Sequence, residues 1–208
     1  QIIYCYRGWV RVVYEDQGLP FVMEPGDCVL QPPQIRHRVL ESAPGLEVIE
    51  IACPAEHETL TAGEFVLPTG VLDTKRLFSS QRFVWHKAAD AIWDSSWLKG
   101  FECCDTGVSK GSAKFARVHV LRRIKRSEAF LQSHAGELSF FFLLEGGMTL
   151  HAAGQRDVRL GEADAFVIPA GLNFAFFDLT DELELLEVTL PAPAKFRRHS
   201  PMPLSTSR

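Results

Sequence analysis

Short apolar runs, separated by residues typical of turns, make up much of the first fifty residues of the chain. Two such runs are IIYCYRG and WVRVVYED, and shorter apolar runs follow at 21–24, 28–30 and 46–51. Short runs rich in β-branched and aromatic residues are typical of strands. No stretch of this region has the 3.6-residue period of a helix. The pattern therefore predicts a series of consecutive β-strands.

Residues 24–41, EPGDCVLQPPQIRHRVLE, predict a strand, a tight turn and a second strand. The Pro-Gly-Asp sequence at 25–27 is turn chemistry, because Pro presets φ and Gly permits a positive φ. The proline pair at 32–33 interrupts strand pairing, since neither residue can donate a backbone hydrogen bond. His37 follows, with an apolar residue two positions to either side. A histidine on such a strand face is either a core residue or a metal ligand.

The second half of the chain repeats the first. Six positions recur at an offset of 137 residues: Asp27, Pro32, Leu46, Glu47, Glu50 and Pro54 correspond to Asp164, Pro169, Leu183, Glu184, Glu187 and Pro191. Gly8 corresponds to Gly146, one residue further along. A repeat of this length predicts two tandem copies of one domain.

The spacing around His37 resembles the second sequence motif of the cupin superfamily. That motif reads Gly, five residues, Pro, one residue, Gly, two residues, His, three residues, Asn. Here Gly26, Pro32 and His37 match it, while Gln34 replaces the second Gly and Glu41 replaces the Asn. The resemblance implies an all-β chain with two double-stranded β-helix (cupin, jelly-roll) barrels in tandem.

The first cupin motif places Gly8 at its end and Gln1 at its Glu/Gln ligand position. Its two histidines would precede residue 1, so the first barrel is expected to lack its N-terminal part. The resemblance implies that Gln1 and His37 are metal ligands. The cofactor would be a divalent transition metal, and Fe, Mn, Ni, Cu and Zn all suit an imidazole-rich, partly open site.

The resemblance and the repeat together suggest four segments. Residues 1–54 are expected to form the C-terminal part of the first cupin barrel, and residues 55–82 a linker that packs against a barrel. A short helix is expected near 55–60. Residues 83–191 are expected to form the second barrel, and residues 192–208 a flexible tail.

The second copy has lost most of the ligand residues. Counting back from the motif glycine puts Gln132, His134 and Ser139 at the first-motif positions, and Phe174 stands where His37 stands in copy one. Glu137 is displaced by two residues. The second barrel is therefore predicted to be metal-free and structural, with an aromatic interior formed by Phe140, Phe141, Phe142, Phe166, Phe174, Phe176 and Phe177. An apolar ligand pocket is the alternative.

Two further patterns concern charged residues in the second copy. A strand is predicted at 115–122, and His119 falls beside Arg117 on its more polar face, which predicts a surface position. The basic cluster at 122–126 is interpreted as a solvated edge, because the chain as a whole is acidic.

Composition and net charge restrict the classes of partner that the chain is expected to bind. The net charge of −4 over 208 residues disfavours nucleic acid and anionic membranes. No apolar run approaches the ~18 residues of a spanning helix. The five cysteines lack paired CxxC spacing, which indicates free thiols in a reducing, cytoplasmic setting. Exposed strand edges of an incomplete barrel predict a homodimer.

Catalytic motifs of other classes do not occur in the sequence: there is no GxSxG, no phosphate-binding glycine loop and no HExxH. The favoured hypothesis is a bicupin that binds metal in its first barrel and acts on a small oxygenated molecule, as a dioxygenase does. Isomerase or lyase chemistry would suit Zn or Ni. The alternatives are a non-catalytic bicupin that binds a small ligand or regulates, and a storage protein.

Overall fold

The computed structural model describes residues 1–61 and 63–202. Strands account for 46% of the structure and helices for 3%, which confirms the predicted all-β class. Helical structure within these ranges consists of a 3-10 turn at Ala88–Asp90 and the single-turn helix α1, Val108–Gly111. No helix in the described part of the chain is long and apolar enough to cross a bilayer.

The strands follow one another closely along the chain. In chain order they are β1 (Ile2–Arg7), β2 (Val10–Tyr14), β3 (Phe21–Met23), β4 (Cys28–Leu30), β5 (His37–Ser42), β6 (Glu47–Ile51), β7 (Val84–His86), β8 (Trp93–Ser95), β9 (Phe101–Asp105), β10 (Arg117–Arg123), β11 (Phe130–His134), β12 (Leu138–Glu145), β13 (Met148–Ala152), β14 (Val158–Leu160), β15 (Ala165–Ile168), β16 (Phe174–Phe177), β17 (Glu184–Leu190) and β18 (Phe196–Pro201).

Contacts divide the chain into two compact units. Unit 1 comprises Gln1–Ala91 and Thr106–Ala113, and unit 2 comprises Ile92–Asp105 and, among the described residues, 114–202. The repeat is visible in their registers. Ile3 lies opposite Glu50 where β1 pairs with β6, and Phe141 lies opposite Glu187 where β12 pairs with β17.

Unit 1 contains two antiparallel sheets, in the orders β6-β1-β4-β7 and β3-β2-β5. Its core contains Cys5, Val10, Val12, Tyr14, Met23, Val29, Ile35 and Phe78. The turns that precede His37 are built as the sequence predicts. Gly26 has φ +92°, and Gln34, which replaces the second motif glycine, has φ +65°. Gln34 therefore takes the left-handed conformation that glycine takes most readily.

Unit 2 contains a six-stranded sheet, β15-β12-β17-β10-β9-β8, and a five-stranded sheet, β14-β13-β16-β11-β18. Aromatic rings fill its core, but only four of the seven predicted ones: Phe141, Phe174 and Phe176 are buried with Phe166 packed against them, whereas Phe140, Phe142 and Phe177 lie outside the core cluster. Phe141 stacks on Phe166 at 5.1 Å and meets Phe176 edge-on at 5.5 Å, and Phe174 lies 5.3 Å from Phe176. These rings provide much of the apolar area that stabilises the unit.

Strand β7 belongs with the first sheet, although the sequence-based boundary assigned it to the second barrel. It pairs with β4, and its Trp85 stacks on Phe21 at 3.9 Å between ring centroids. The Trp85 indole also donates a hydrogen bond to Asp27 Oδ2 at 3.3 Å. Trp85 thereby holds β7 in the core of unit 1.

Two smaller expectations are wrong where the structure describes them. Residues 55–60 form no helix. Part of the predicted flexible tail is strand β18, which pairs with β11, and its Phe196 stacks on Trp97 at 3.7 Å with an interplanar angle of 3°. That aromatic contact orders a segment whose Pro- and Arg-rich composition suggested disorder. The remainder of the predicted tail, 203–208, lies outside the described residues.

Candidate functional site

Gln1 lies at the start of β1 in a network of hydrogen bonds. Its backbone nitrogen donates to the carbonyl oxygen of Gln31 at 2.9 Å, and its side-chain Nε2 donates to Glu50 Oε1 at 2.6 Å. The buried side chain of Gln31 donates through Nε2 to Gln1 Oε1. The amide oxygen proposed as a ligand is therefore held in place by Gln31.

His37 opens β5 and lies opposite Tyr14 of β2. The two rings stack at 5.5 Å with an interplanar angle of 20°, and Tyr14 is itself buried. Nδ1 of His37 is shielded from solvent and has no hydrogen-bond partner among the described residues. Burial lowers the pKa of His37, although the Leu60 backbone and the charge of Glu50 act in the opposite direction. A neutral imidazole with a buried free nitrogen is the form that ligates metals.

The strand face around His37 differs in part from the prediction. Ile35, expected to share that face, precedes the strand and is 1% exposed, whereas Val39 is 58% exposed. The positive φ of Gln34 turns the backbone immediately before Ile35, so Ile35 is not part of the regular strand that contains His37 and Val39. His37 itself faces the buried ring of Tyr14 on the neighbouring strand.

Glu50 is the residue that sequence reasoning missed in unit 1. Its carboxylate accepts the hydrogen bond from Gln1 and is close enough to His37 for its charge to raise that residue's pKa. The internal repeat could have pointed to Glu50, because the same residue type recurs at the equivalent position, Glu187, in the second copy. Gln1, Glu50 and His37 thus provide an amide oxygen, a carboxylate and an imidazole.

By type these donors fit part of a transition-metal site, although Glu50 is exposed to solvent and only its charge, not a hydrogen bond, links it to His37. Imidazole nitrogen and carboxylate oxygen are both common ligands, and the orphaned Nδ1 of His37 is a buried donor atom in need of a partner. The described residues contain no group of three or more His, Cys, Asp or Glu side chains that could hold a metal. The assignment of Gln1 and His37 as metal ligands stays a prediction.

In unit 2 the equivalent positions are buried but poor in ligands. His134 is 2% exposed, and its Nε2 donates to the carbonyl oxygen of Ile168 at 2.7 Å. In a neutral ring Nδ1 is then an acceptor, and it has no partner in the described chain. Ser139 is fully buried, and Gln132 lies opposite Phe174 across β11 and β16. Glu137 is exposed to solvent.

A second polar cluster surrounds Glu187, which is fully buried on β17. Trp97 Nε1 donates to Oε1 at 2.9 Å, while Arg117 Nη2 lies 3.4 Å and His119 Nδ1 3.6 Å from Oε2. Burial raises the pKa of Glu187 to about 7, against the opposing effects of Arg117 and Trp97. Burial, and then Arg117, lowers the pKa of His119 to about 4, although Asp105 acts against this.

The predicted surface position of His119 is therefore wrong. Its side chain is 14% exposed and faces Glu187. The sequence showed a polar face and an apolar face on β10, which suggested that the polar face met solvent. Strand β10 instead lies inside its sheet, between β17 and β9, and its polar residues meet a buried carboxyl group.

Comparisons with known proteins bear on the fold. No protein-family model and no curated protein matches the sequence. A variant of salicylate 1,2-dioxygenase from Pseudoaminobacter salicylatoxidans matches in structure with a TM-score of 0.61 at 13% identity, over 95% of this chain and 68% of that one. A variant of Bacillus subtilis oxalate decarboxylase matches with a TM-score of 0.62 at 13% identity, over 95% of this chain and 64% of that one.

A further structure, described for the Mn(II) centres of the Bacillus subtilis oxalate decarboxylase, matches with a TM-score of 0.61 at 13% identity and the same 95% and 64% coverage. The chain thus spans about two thirds of the length of these neighbours, 64% in the decarboxylase. Both neighbours are two-barrel cupins. Likeness at this level of identity shows the fold, and it confirms the tandem arrangement.

Proposed function

We propose that this chain, which has the tandem cupin fold, binds a divalent transition metal in its first barrel and acts on a small oxygenated molecule in a dioxygenase-like reaction. The observation that carries the proposal is the buried, unpartnered Nδ1 of His37 at the position of the motif ligand. A buried polar atom without a partner costs ~1–3 kcal/mol, and a metal ion would remove that cost.

Four residues have roles in this site. His37 would bind the metal through Nδ1, with its ring held by the stack on Tyr14. Gln1 would bind through Oε1, and Glu50 lies next to it as a carboxylate donor or a base. A tight site needs three or four protein ligands, so further protein donors would have to complete the set.

A metal bound in this way supplies Lewis-acid polarisation of a substrate that chelates through adjacent oxygens, and a redox metal adds chemistry with O2. The chain's own contribution is to hold the donors and position the substrate. Glu50, whose carboxylate accepts a hydrogen bond from Gln1, would take a proton from a substrate hydroxyl group in this proposal. Tyr14 shields one face of the imidazole from water.

The neighbours support the class of chemistry. One is a dioxygenase named for salicylate, and the other is a decarboxylase named for oxalate and described with Mn(II) centres. Both names denote small oxygen-rich acids. At 13% identity this likeness carries no substrate across, so the substrate of this chain is left to experiment.

The test of activity uses the intact gene product. The protein is stripped of metal, loaded separately with Fe(II), Mn(II), Ni(II), Cu(II) or Zn(II), and assayed for O2 uptake and CO2 release on hydroxybenzoates and short dicarboxylates. We expect turnover with Fe(II) or Mn(II), and loss of that turnover in His37→Ala but not in His151→Ala. Turnover that is equal without metal, or equal in His37→Ala, would contradict the proposal.

A non-catalytic bicupin that binds or senses a small ligand is the second candidate. The observation in its favour is unit 2, where Phe174 and Ser139 occupy ligand positions. Metal or ligand binding without turnover on any substrate of these classes would favour it. Homodimer formation is a further proposal, and it is supported by the position of β6 at the edge of its sheet.

A further inference from the structure

We propose that unit 2 carries a binding site for a small organic carboxylate, in a cavity between residues 123–129 and the end of β16. The site uses neither His37 nor Gln1, and it would exist whether or not the first barrel binds metal. The segment 122–126, interpreted from sequence as a solvated basic edge, supplies its cationic group.

The cavity has a volume of about 650 Å³, within the range of sites that hold small molecules. Its wall contains charged, hydroxyl and apolar side chains: Arg123, Arg126, Ser127, Glu128, Ala129, Phe176, Phe177, Asp178, Leu179 and Met202. Such a mixture suits a ligand that has one charged end and an apolar body.

Arg123 is the charged group with the deepest burial in this wall. Its side chain is only 7% exposed, and its Nη1 donates to the carbonyl oxygen of Leu179 at 2.5 Å. Nη1 also lies 3.0 Å from Asp181, whose side chain is 80% exposed. An ion pair with so exposed a carboxylate is screened by water and compensates little of the buried charge.

Nε of Arg123 is buried and has no hydrogen-bond partner in the described part of the chain. Nε and Nη2 form the side-on fork of a guanidinium group, and this fork matches the two oxygens of a carboxylate. The known contacts of Arg123 use Nη1, on the other side of the group. A carboxylate bound at the fork would satisfy Nε and neutralise the buried charge once the Arg123 side chain turns the shielded Nε toward the cavity.

The surroundings favour an anion. A smaller pocket shares five wall residues with the cavity and adds Lys99 and Arg198. The two walls together contain four cationic side chains, Lys99, Arg123, Arg126 and Arg198, and two anionic ones, Glu128 and Asp178. With Asp181, which lies 3.0 Å from Arg123, there are three anionic side chains, and four minus three leaves a local charge of +1 in a chain whose net charge is −4. A site with this charge matches a monoanion better than a dianion such as a phosphate ester.

Hydrogen bonds to backbone carbonyl groups hold the wall of the cavity in place. Ile124 N donates to Gly100 O at 2.9 Å, Ser127 Oγ donates to Lys99 O at 2.7 Å, and Met202 N donates to Ala129 O at 2.9 Å. A Cβ at Gly100 would stand 2.7 Å from Lys125 O, so the two segments approach closely. A cavity bounded in this way is formed before a ligand arrives, which lowers the cost of binding.

The apolar side of the cavity suits a ring or a short alkyl group. Phe176 is 4% exposed and belongs to the aromatic core, so it presents a fixed surface. Benzoate combines such a body with a single planar carboxylate. Benzamide has the same shape without the charge, which makes it the matched neutral probe.

The experiment is a titration of the protein with benzoate and, separately, with benzamide, followed by calorimetry and by amide chemical shifts. We expect benzoate to bind at millimolar concentration or below and to shift the amides of Phe176–Leu179, with benzamide at least about tenfold weaker. Equal binding of the two probes, or no binding of benzoate, would overturn the proposal.

Variants locate the site. Arg123→Lys keeps the charge but loses the fork, and it should weaken benzoate binding by about tenfold. Arg156→Lys is the same change at an exposed position and should leave binding unchanged. If Arg123→Lys unfolds, Ala129→Glu provides an independent test, because an added carboxylate in the wall repels an anionic ligand and should weaken benzoate binding by at least about tenfold. Unchanged benzoate binding in a folded Arg123→Lys or Ala129→Glu protein would contradict the assignment.

Discussion

Nδ1 of His119 lies 3.6 Å from Oε2 of Glu187, inside a sheet where the carboxyl group is fully buried. Their pKa values are reversed from the usual order, with Glu187 raised to about 7 and His119 lowered to about 4. In the unfolded chain the proton prefers the imidazole. In the folded chain it prefers the carboxyl group, because burial penalises the charged form of each residue.

This reversal predicts a specific pH dependence. Between pH ~4.3 and ~6.5 the folded and unfolded states hold the same number of protons on this pair, since one state protonates Glu187 and the other His119. In the wild type this pair should therefore make the free energy of unfolding almost independent of pH within that range. Chemical denaturation at several pH values measures this pH dependence.

Substituting either residue of the pair should reveal how the other makes the free energy of unfolding depend on pH. In His119→Asn, the raised pKa of Glu187 gives stability that is full below pH ~4.3 and lost as pH rises towards 7. In Glu187→Gln, the lowered pKa of His119 gives stability that is full above pH ~6.5 and lost as pH falls towards 4. Each change should reach about 3 to 4 kcal/mol at most. Parallel pH profiles in the two variants would show that the reversal is absent.

Gly146 gives a test of the motif glycine that ends β12. It has φ +76°, and a Cβ there would meet Thr180 Oγ1 and stand 2.9 Å from Leu183 Cα. Gly154 has φ +79° but open space around it. Gly146→Ala should therefore lower the free energy of unfolding by ~1–3 kcal/mol more than Gly154→Ala, because backbone strain cancels and only the clash differs. Equal losses in the two variants would mean that Leu183 and Thr180 move away at no cost.

The ligand-poor positions of unit 2 predict that one substitution cannot build a metal site. Phe174→His should bind Zn(II) no better than the wild type in a calorimetric titration, because Gln132 opposite it and Ser139 remain poor ligands. The combination of Gln132→His, Ser139→Glu and Phe174→His completes four ligands with His134 and serves as the positive control. Tight Zn(II) binding by Phe174→His alone would show that the second barrel already holds most of a site.

Local chemistry explains why much of the fold could be predicted. The turns at Gly26 and Gln34 and the β-branched and aromatic residues of β1 and β2 can be recognised from neighbouring residues alone. The offset between Glu50 and Glu187 required only a comparison of two segments, and it placed both residues at the same register position.

Other features depend on neighbours that are distant in sequence. The polar face of β10 is buried because β17 carries Glu187, and only the sheet order reveals this. Phe196 is ordered by its stack on Trp97, almost a hundred residues away in the chain. In unit 1, the hydrogen bond from Gln1 to Glu50 likewise joins residues at opposite ends of their segment. Such pairings arise from packing and leave no local pattern.

Metal content is the most direct test of the central claim that His37 binds a divalent metal. The measurement is the metal-to-protein ratio of the intact gene product by mass spectrometry, for the wild type, His37→Ala and His151→Ala, with unfolding temperature as a check of the fold. The account predicts about one transition metal per chain in the wild type and in His151→Ala, and almost none in a folded His37→Ala. A wild type without metal after loading, or a His37→Ala protein that keeps its metal, would contradict it.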